Sequence, residues 1–424
     1  MAAISLAGCE LGVATAATQI EGGNADTNWH RWAKLPGQVA DNTSPTRAAD
    51  HWNRVDSDIE LLQRLGVKHY RMGLEWARIE PAPGVYDTAA IDHYVDELKK
   101  LKAAGIKPLV TLHHFSNPGW LESTGGWLKA HTIGVFERYV HRVVEAFEDL
   151  ATDWITVNEP NVYALKGFIE GEWPPGRKSL ADGVKVMEHL AYAHIIAYKL
   201  IHDMQPAANV GAAHHLRVFR PAQAWNPVDQ ASSAAQEWLF QSALVRAMSA
   251  GKFLPPFKQP KYIRPGRYYD FHGINYYGPS EVHFLSNGAG KGVPVNDLGW
   301  EIYPQGLAEL AKRIHKAYPG PIYITENGTA DANDSFRPLF IFDHLKAALE
   351  SGAPIARFYH WCFTDNWEWT EGESARFGLL GLDYDTQERV WRDSAAFYAD
   401  ISANNGVTED AYTRWVASRS YRYS

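Results

Sequence analysis

Short apolar runs recur along the chain, and each is followed by a stretch in which apolar residues return every three or four positions. Eight runs have strand length, near residues 10–14, 67–73, 106–112, 154–158, 210–213, 271–276, 321–325 and 355–361. The intervening stretches carry helical spacing, as at Ile91, Val95, Leu98 and Leu101. Strands that alternate with helices in this way predict a parallel sheet joined by helical crossovers.

The predicted helices include residues 182–204, 232–249, 303–317, 337–350 and 393–401. Gly66, Gly105 and Gly352 stand just before three of the predicted strands, where a glycine commonly ends the preceding helix. We therefore predict an α/β protein built as one domain over residues 1–424. Its expected fold is an eight-stranded (β/α)8 TIM barrel with elaborated loops at the C-terminal face.

Composition narrows the range of partners. Hydrophobic residues make up 46% of the chain, and 41 basic against 49 acidic residues give a net charge of −8. The sequence has no basic run or stripe, so neither nucleic acid nor an anionic membrane is an expected partner. No apolar run approaches the roughly 20 residues of a membrane-spanning helix. The sequence leaves open whether the chain forms a homo-oligomer.

The two cysteines are expected to remain unbridged. Cys9 precedes the first predicted strand at the bottom of the barrel, whereas Cys362 follows the last strand at the top. One strand length, roughly 15–20 Å, should separate them, which is too far for a disulfide. Reduced cysteines favour a cytoplasmic location.

Two strand ends carry the same polar design. The segments 154–160 (WITVNEP) and 321–328 (PIYITENG) each lead from an apolar run to a glutamate, Glu159 and Glu326, with an asparagine beside it. In a βα-barrel the C-terminal ends of the strands hold the chemistry. A pair of carboxyl groups is what glycosidic-bond cleavage requires. The competing interpretation is that each glutamate caps a helix or pairs with an arginine.

Ordered motifs then connect the chain to a known family. They are residues 11–22 (LGVATAATQIEG), 113–115 (HHF), 156–160 (TVNEP), 275–277 (NYY), 324–328 (ITENG), and Trp361 with 365–369 (DNWEW) and 376–379 (RFGL). Over nearly its whole length the chain resembles glycoside hydrolase family 1, the retaining β-glucosidase and β-galactosidase family. The resemblance implies Glu159 as acid/base and Glu326 as nucleophile. Retention requires their carboxyl groups to lie about 5–5.5 Å apart.

The resemblance also implies supporting roles. Asn158 would donate to the sugar 2-hydroxyl, while Tyr277 and Arg71 would hold Glu326 oriented and ionised, so that Glu159 carries the proton. Each has a structural alternative: a turn-stabilising asparagine, a core tyrosine, and an Arg71 ion pair with Glu75.

The remaining matched positions would bind substrate. The resemblance implies that Gln19, His114, Glu368 and Trp369 bond the hydroxyls of the glycone, that Trp361 stacks beneath its ring, and that Trp300 supports the leaving-group sugar. His113 is expected to be a core residue instead of a ligand. A carboxylate at Glu368 should also repel a phosphorylated sugar. Trp120 and Trp173 are expected near the entrance.

Tryptophans are numerous for a chain of this length, at 16 residues. Many stand in loop-like stretches, where exposed rings would suit the C–H faces of a sugar. These are Trp29, Trp32, Trp120, Trp127, Trp173, Trp225, Trp300, Trp367 and Trp369.

We thus expect a retaining exo-acting β-glycosidase, a β-glucosidase with β-galactosidase or β-fucosidase side activity and transglycosylation. Its partners would be small β-linked glycosides or oligosaccharides, with no cofactor and no metal. The alternatives are a 6-phospho-β-glycosidase and a non-catalytic sugar-binding barrel. The glycone and aglycone preferences stay open.

Overall fold

Eight parallel strands close into a barrel in the computed structural model, which describes residues 3–424. In chain order they are β1 Glu10–Ala14, β2 His69–Gly73, β3 Lys107–Thr111, β4 Asp153–Asn158, β5 Asn209–His215, β6 His272–Asn275, β7 Ile322–Asn327 and β8 Ile355–Trp361. Each strand pairs with its neighbour in sequence, and β8 returns to pair with β1. All residues of β4 and β7 are buried, as expected for strands covered on both faces.

Within residues 3–424, nine longer helices surround the strands. They are α1 His51–Leu65, α2 Thr88–Ala103, α3 His131–Phe147, α4 Leu180–Met204, α5 Pro227–Glu237, α6 Ala243–Ala250, α7 Pro304–Ala317, α8 Arg337–Leu349 and α9 Asp393–Asn404. Local chemistry sets their ends. The Asp87 side chain accepts from two backbone N–H groups at the start of α2, and Gly66 ends α1 with a φ of 71°.

Shorter elements fill the connections. The short helices are Ala17–Ile20, Asn28–Trp32, Trp76–Ile79, Gly119–Ser123, Gly126–Leu128, Glu148–Leu150, Pro160–Ala164, Leu165–Glu170, Trp238–Ser242, Trp369–Glu371 and Glu409–Trp415. Small sheets are formed by Ile4–Ser5 with Gly406–Val407, by Phe219–Pro221, Ser280–His283 and Ser286–Gly288, by Pro294–Val295 with Arg422–Tyr423, and by Leu380–Leu382 with Arg389–Trp391.

The predicted α/β barrel is confirmed, and all eight strand predictions fall on barrel strands within a few residues. The prediction of one helix over 232–249 was wrong in detail. There the chain forms α5, a π-helical turn at Trp238–Ser242, and α6. Asn226 caps α5 and Pro227 stands at its first turn, so this helix begins before the predicted start.

Several tryptophans expected at a pocket mouth lie in the core instead. Trp29, Trp127 and Trp367 are fully buried, and Trp29 packs edge-on against Trp367. Loop sequence around a tryptophan therefore did not predict its exposure, because these loops fold back over the barrel top. Cys9 and Cys362 are both buried and free.

Residues 3–424 contain no helix long and apolar enough to cross a membrane. The same residues include no group of three or more His, Cys, Asp or Glu side chains arranged to hold a metal ion.

Candidate active site

The two glutamates sit at the C-terminal ends of β4 and β7. Glu326 is the fifth residue of β7, and Glu159 follows β4 directly as the residue that precedes the helix Pro160–Ala164. The backbone of Glu159 has a φ of 42°, in the left-handed region that non-glycine residues rarely occupy. Its N–H donates to the Ala213 carbonyl on β5, so neighbouring strand structure holds the strained turn in place.

Two donors hold the Glu326 carboxyl, one on each oxygen. Arg71 donates from Nη1 to Oε1 at 2.5 Å, and the Tyr277 hydroxyl donates to Oε2 at 2.7 Å. Arg71 is fully buried and is itself fixed by bonds to Thr111 and to the Thr325 carbonyl. Burial and the nearby Glu326 hold the pKa of Tyr277 well above its usual range, so its hydroxyl stays protonated and able to donate.

The alternative of an Arg71–Glu75 ion pair is wrong, because Arg71 pairs with Glu326. The Glu75 carboxyl accepts from Thr18 at 2.6 Å and from Ser116 at 2.9 Å. Burial raises the pKa of Glu75. The Glu75 carboxyl is therefore held by hydrogen bonds to these two side chains.

The Glu159 carboxyl is held through a single oxygen. His215 Nδ1 lies 3.1 Å from Oε1, and Asn275 donates from Nδ2 to the same Oε1 at 2.7 Å. Within residues 3–424, Oε2 receives no hydrogen bond. One oxygen of Glu159 is thus anchored while the other has capacity for a substrate.

Asn158 links the two carboxyl groups. Its Oδ1 accepts from Arg71 Nη2 at 2.7 Å and from Asn275 at 3.0 Å, which fixes Nδ2 as the outward donor to His114 Nε2. A path of four hydrogen bonds therefore runs from Glu326 through Arg71, Asn158 and Asn275 to Glu159. The asparagine is part of this network and not only a turn residue.

Electrostatics of the pair differ from the sequence-based expectation. Burial, and then the neighbouring Glu159, raise the pKa of Glu326 to about 7 against the influence of Arg71. Burial also raises the pKa of Glu159, but a protonated His215, together with the bonds from His215 and Asn275, would outweigh burial and bring that pKa below its usual value. Because the charge of Glu159 acts on Glu326, the two carboxyl groups titrate as a pair, with two apparent pKa values that belong to both.

The hydrogen bonds nevertheless favour the proton on Glu159. Burial lowers the pKa of His215, and the adjacent Arg217 lowers it further, so the imidazole is neutral and its charge is missing beside Glu159. Both oxygens of Glu326 face donors, and Arg71 cannot accept a proton. Glu159 has a free oxygen where a proton can reside. This bonding favours an ionised Glu326 and a protonated Glu159.

A second group of predicted residues lies on the other side of the site. Gln19 donates from Nε2 to Glu368 Oε2 at 2.9 Å. His114 lies nearly parallel to Trp361 and Trp369, with ring centroids 5.9 Å and 6.0 Å away. Burial, then Glu326, raise the pKa of Glu368 to about 8, so this carboxyl is largely neutral at pH 7.

Two buried polar atoms in this group have no protein partner. They are Gln19 Oε1 and His114 Nδ1. Burial holds the pKa of His114 well below its usual range, and because Nε2 accepts from Asn158, the single proton must sit on Nδ1. A buried acceptor and a buried donor left open in this way match the needs of sugar hydroxyls.

A cavity of about 400 Å³ opens above these residues. Its lining includes Tyr277 and His215, which bond the two glutamates, together with Glu368, Trp369 and the half-exposed Trp300. Trp173 lines the same cavity, as predicted. Trp120 is not among the lining residues.

The predicted site residues thus come together. Arg71, Asn158, Glu159, Tyr277 and Glu326 form one bonded network, Gln19 and Glu368 form a pair, and Trp300 lies at the rim. His113 is a core residue, bonded to Asn117 and packed edge-on against Trp127.

Sequence reasoning missed two residues that contact the Glu159 carboxyl, Asn275 and His215. Asn275 was noted only as part of a motif. His215 ends β5, and a polar side chain at the C-terminal end of a barrel strand is the signal that could have identified it.

A closed (β/α)8 barrel whose C-terminal face holds two buried carboxyl groups beneath a cavity has the arrangement that glycoside hydrolysis requires. The chain belongs to glycosyl hydrolase family 1: the family model, described as "Glycosyl hydrolase family 1", matches residues 8–407. It is a β-glycosidase of that family.

Relatives of established description match it along almost their full lengths. Beta-glucosidase A of Thermotoga maritima is 32% identical, with 94% of this chain and 97% of the relative covered. A beta-galactosidase of Saccharolobus solfataricus is 28% identical, with 91% of each covered. Among solved structures, the Thermotoga maritima beta-glucosidase in complex with glucoimidazole has a TM-score of 0.87 at 30% identity, covering 94% of this chain and 98% of that one. A beta-glycosidase from Pyrococcus horikoshii has a TM-score of 0.89 at 32% identity, covering 97% and 98%.

Proposed function

We propose that this protein is a retaining exo-β-glucosidase that removes single terminal glucosyl residues from small β-linked glycosides. Galactosides and fucosides are slower substrates, and a sugar in place of water as acceptor gives transglycosylation. The observation that carries the proposal is the opposed bonding of the two glutamates. Glu326 has both oxygens held by donors, whereas Glu159 keeps one oxygen free.

In the first step, a Glu326 oxygen attacks the anomeric carbon while the bond from that carbon to the leaving oxygen breaks. Glu159 gives its proton to the leaving oxygen. The product is an ester between the sugar and Glu326. Arg71 and Tyr277 keep the attacking carboxylate ionised and oriented until the bond forms.

In the second step, Glu159 acts as the base. Glu326 is now an uncharged ester, so the repulsion that opposed a second carboxylate has gone and the pKa of Glu159 falls. It takes a proton from water, the water oxygen bonds to the anomeric carbon, and Glu326 leaves as a carboxylate. Two inversions give net retention.

Recognition of the sugar is assigned to the open polar atoms and aromatic rings. His114 donates from Nδ1, Gln19 accepts at Oε1, and Glu368 bonds two hydroxyls. Asn158 donates a hydrogen bond to the 2-hydroxyl, and this bond strengthens toward the transition state. Trp361 offers its ring face to the C–H groups of the sugar, the indole N–H of Trp369 donates to a hydroxyl, and Trp300 is assigned to the leaving-group side.

Glu368 also bears on the alternative of a 6-phospho-β-glycosidase. With a pKa near 8 it repels a phosphate only weakly at pH 6, and the repulsion grows as the carboxyl ionises. Because burial makes even a partial negative charge costly beside a phosphate dianion, the unphosphorylated sugar is the proposed substrate.

The decisive experiment follows product anomers by proton NMR during hydrolysis of 4-nitrophenyl β-glucoside, with the galactoside, the fucoside and the 6-phosphoglucoside as comparisons. We expect the β-anomer of glucose to form first and the glucoside to have the highest kcat/KM. Initial formation of the α-anomer would exclude retention. Preference for the phosphorylated substrate would favour the alternative enzyme, and binding without product would indicate a non-catalytic barrel.

A further inference from the structure

We propose that His215 and Arg217 form a positioning relay for the acid/base Glu159, in which Arg217 fixes the proton of His215 on Nδ1 and His215 anchors Oε1. The inference rests on the proposed function, because it assigns a purpose to contacts made by the proposed acid. It concerns residues at the end of β5 that carry neither substrate contact nor proton transfer in the mechanism above.

The hydrogen bonds run in one direction, from Arg217 to His215 and from His215 to Glu159. Arg217 Nε lies 3.0 Å from His215 Nε2 and can only donate. His215 Nε2 must therefore accept, which places the ring proton on Nδ1. Nδ1 lies 3.1 Å from Glu159 Oε1, so the histidine donates to the carboxyl.

Packing and hydrogen bonds hold both residues of the relay in place. The His215 ring lies nearly parallel to that of Tyr277, with centroids 5.8 Å apart and an interplanar angle of 16°. Arg217 is clamped through its backbone, since its N–H donates to Gln241 Oε1 at 2.8 Å and its carbonyl accepts from Gln241 Nε2 at 3.0 Å. The guanidinium also lies over the Phe240 ring, 5.2 Å from its centroid.

Burial and the charge of Arg217 lower the pKa of His215 and keep it in its neutral form. The ionisable groups that face His215 are Glu159, Arg217 from its own segment, and Tyr277 from the segment after β6. Glu170 acts on Arg217 from a distance. Protonation of His215 at Nε2 would place a second cation against the Arg217 donor, so the relay holds the ring neutral. Its steady donation to Oε1 stabilises the Glu159 carboxylate that forms as the leaving oxygen takes the proton.

Arg217 makes no ion pair with a carboxylate within residues 3–424, although it is a partly buried arginine that lines the cavity. An arginine used only for stability would normally be paired. Its Nε–H bond to a histidine that touches the acid gives the charge a purpose in the reaction.

The test uses two glucosides that differ in their need for an acid. 2,4-Dinitrophenol leaves without protonation, whereas the glucose of cellobiose does not. We expect His215→Leu to lower kcat/KM for cellobiose about tenfold while changing that for the dinitrophenyl glucoside less than about twofold. Loss of a donor to the carboxylate raises the pKa of Glu159, so the basic limb of the pH profile moves to higher pH.

His215→Asn is the rescue variant, because its side-chain N–H can occupy the place of Nδ1. It should recover most of the cellobiose activity. Arg217→Met should lower cellobiose hydrolysis in the wild-type background and add no further loss in the His215→Asn background, since the tautomer no longer matters there. His214→Leu, a buried neighbour on β5, is the matched control and should leave the ratio of the two substrates unchanged.

Equal losses on both substrates in His215→Leu, or additive effects of the Arg217 and His215 changes, would overturn the relay. Glu159→Ala is measured in parallel. If that variant loses no more activity on cellobiose than on the dinitrophenyl glucoside, the proposed acid itself is wrong. If it does lose more and His215→Leu does not, only the relay fails.

Discussion

The two ends of the barrel both hold buried charges, but they complete their hydrogen bonds in different ways. At the N-terminal end, Asp153 begins β4 and accepts from Arg357 at 2.5 Å, from Lys107 at 3.0 Å and from Asn209 at 3.0 Å. Both its oxygens are used. At the C-terminal end, the same strand leads to Glu159, where one oxygen has no protein partner.

The difference separates a structural charge from a working one. Arg357, Asn209 and Lys107 hold the pKa of Asp153 below its usual value despite its burial. These four residues form the lower cluster, in which both oxygens of the carboxyl are bonded to protein groups. The upper cluster comprises the two glutamates and the residues around them at the C-terminal end of the barrel. Within residues 3–424, two more buried atoms of this cluster, Gln19 Oε1 and His114 Nδ1, have no hydrogen-bond partner. Open bonding capacity beside a pair of buried carboxyl groups, and not buried charge alone, marks where substrate is expected.

The largest expected effect comes from removing either upper glutamate. Glu326→Ala should reduce turnover of 4-nitrophenyl β-glucoside by roughly 10⁵-fold, because no nucleophile remains. Glu159→Ala should lose about 10²–10⁴-fold on poor leaving groups and less on activated ones. Steady-state rates check this, with thermal unfolding as the control for folding. Near-normal rates for either variant would remove the distinction between the two ends.

A matched pair of buried arginines sharpens the comparison. Arg71→Met and Arg357→Met each leave a buried carboxyl without its main partner, at a cost of about 3–5 kcal/mol in the free energy of unfolding. Only Arg71→Met should raise the pKa of Glu326 further and move the acidic limb of the kcat/KM profile to higher pH, because Glu326 must be ionised to attack. Denaturant unfolding and pH–rate profiles measure the two effects. A shifted limb in Arg357→Met would show that the lower cluster also tunes the site.

The smallest effect concerns Glu368. Its folded-state pKa, near 8, lies above that of an unfolded glutamate, so the folded protein binds the extra proton between about pH 4.5 and 8. Stability from this group is therefore full below that window and is lost as pH rises through it. Glu368→Gln, which imitates the neutral acid, should show a smaller fall in Tm between pH 5 and pH 9 than the wild type. An unchanged fall would mean that Glu368 is ionised throughout.

How much of this could be predicted from sequence depends on the range of the interaction. The strands β1 and β8 were predicted to the residue, because burial and strand length write themselves into local apolar runs. Motif register also selected Glu159, Glu326 and Tyr277 correctly as neighbours. For the helix α1 only the end at Gly66 was predicted and not its extent, and α5 and α6 were predicted as one helix.

Contacts between distant segments, such as those of Arg71 and Tyr277 with Glu326, followed from the family resemblance and could not be derived from local sequence. Nothing local tells that Arg71 pairs with Glu326 instead of Glu75, four residues away, or that Trp29 is buried while Trp300 is half-exposed. The contact of His215 with Glu159 joins residues 56 positions apart, and the closed barrel brings them together. Such features arise from the meeting of strand ends and not from any one segment.

The most direct test of the central claim replaces each missing carboxyl with azide, using 2,4-dinitrophenyl β-glucoside as substrate. In Glu159→Ala, azide should attack the glycosyl-enzyme, displace Glu326 and yield the β-glucosyl azide with faster turnover. In Glu326→Ala, azide should take the place of the nucleophile and yield the α-glucosyl azide. The opposite pairing of products and variants, or no azide product from either, would contradict the assigned roles of the two glutamates.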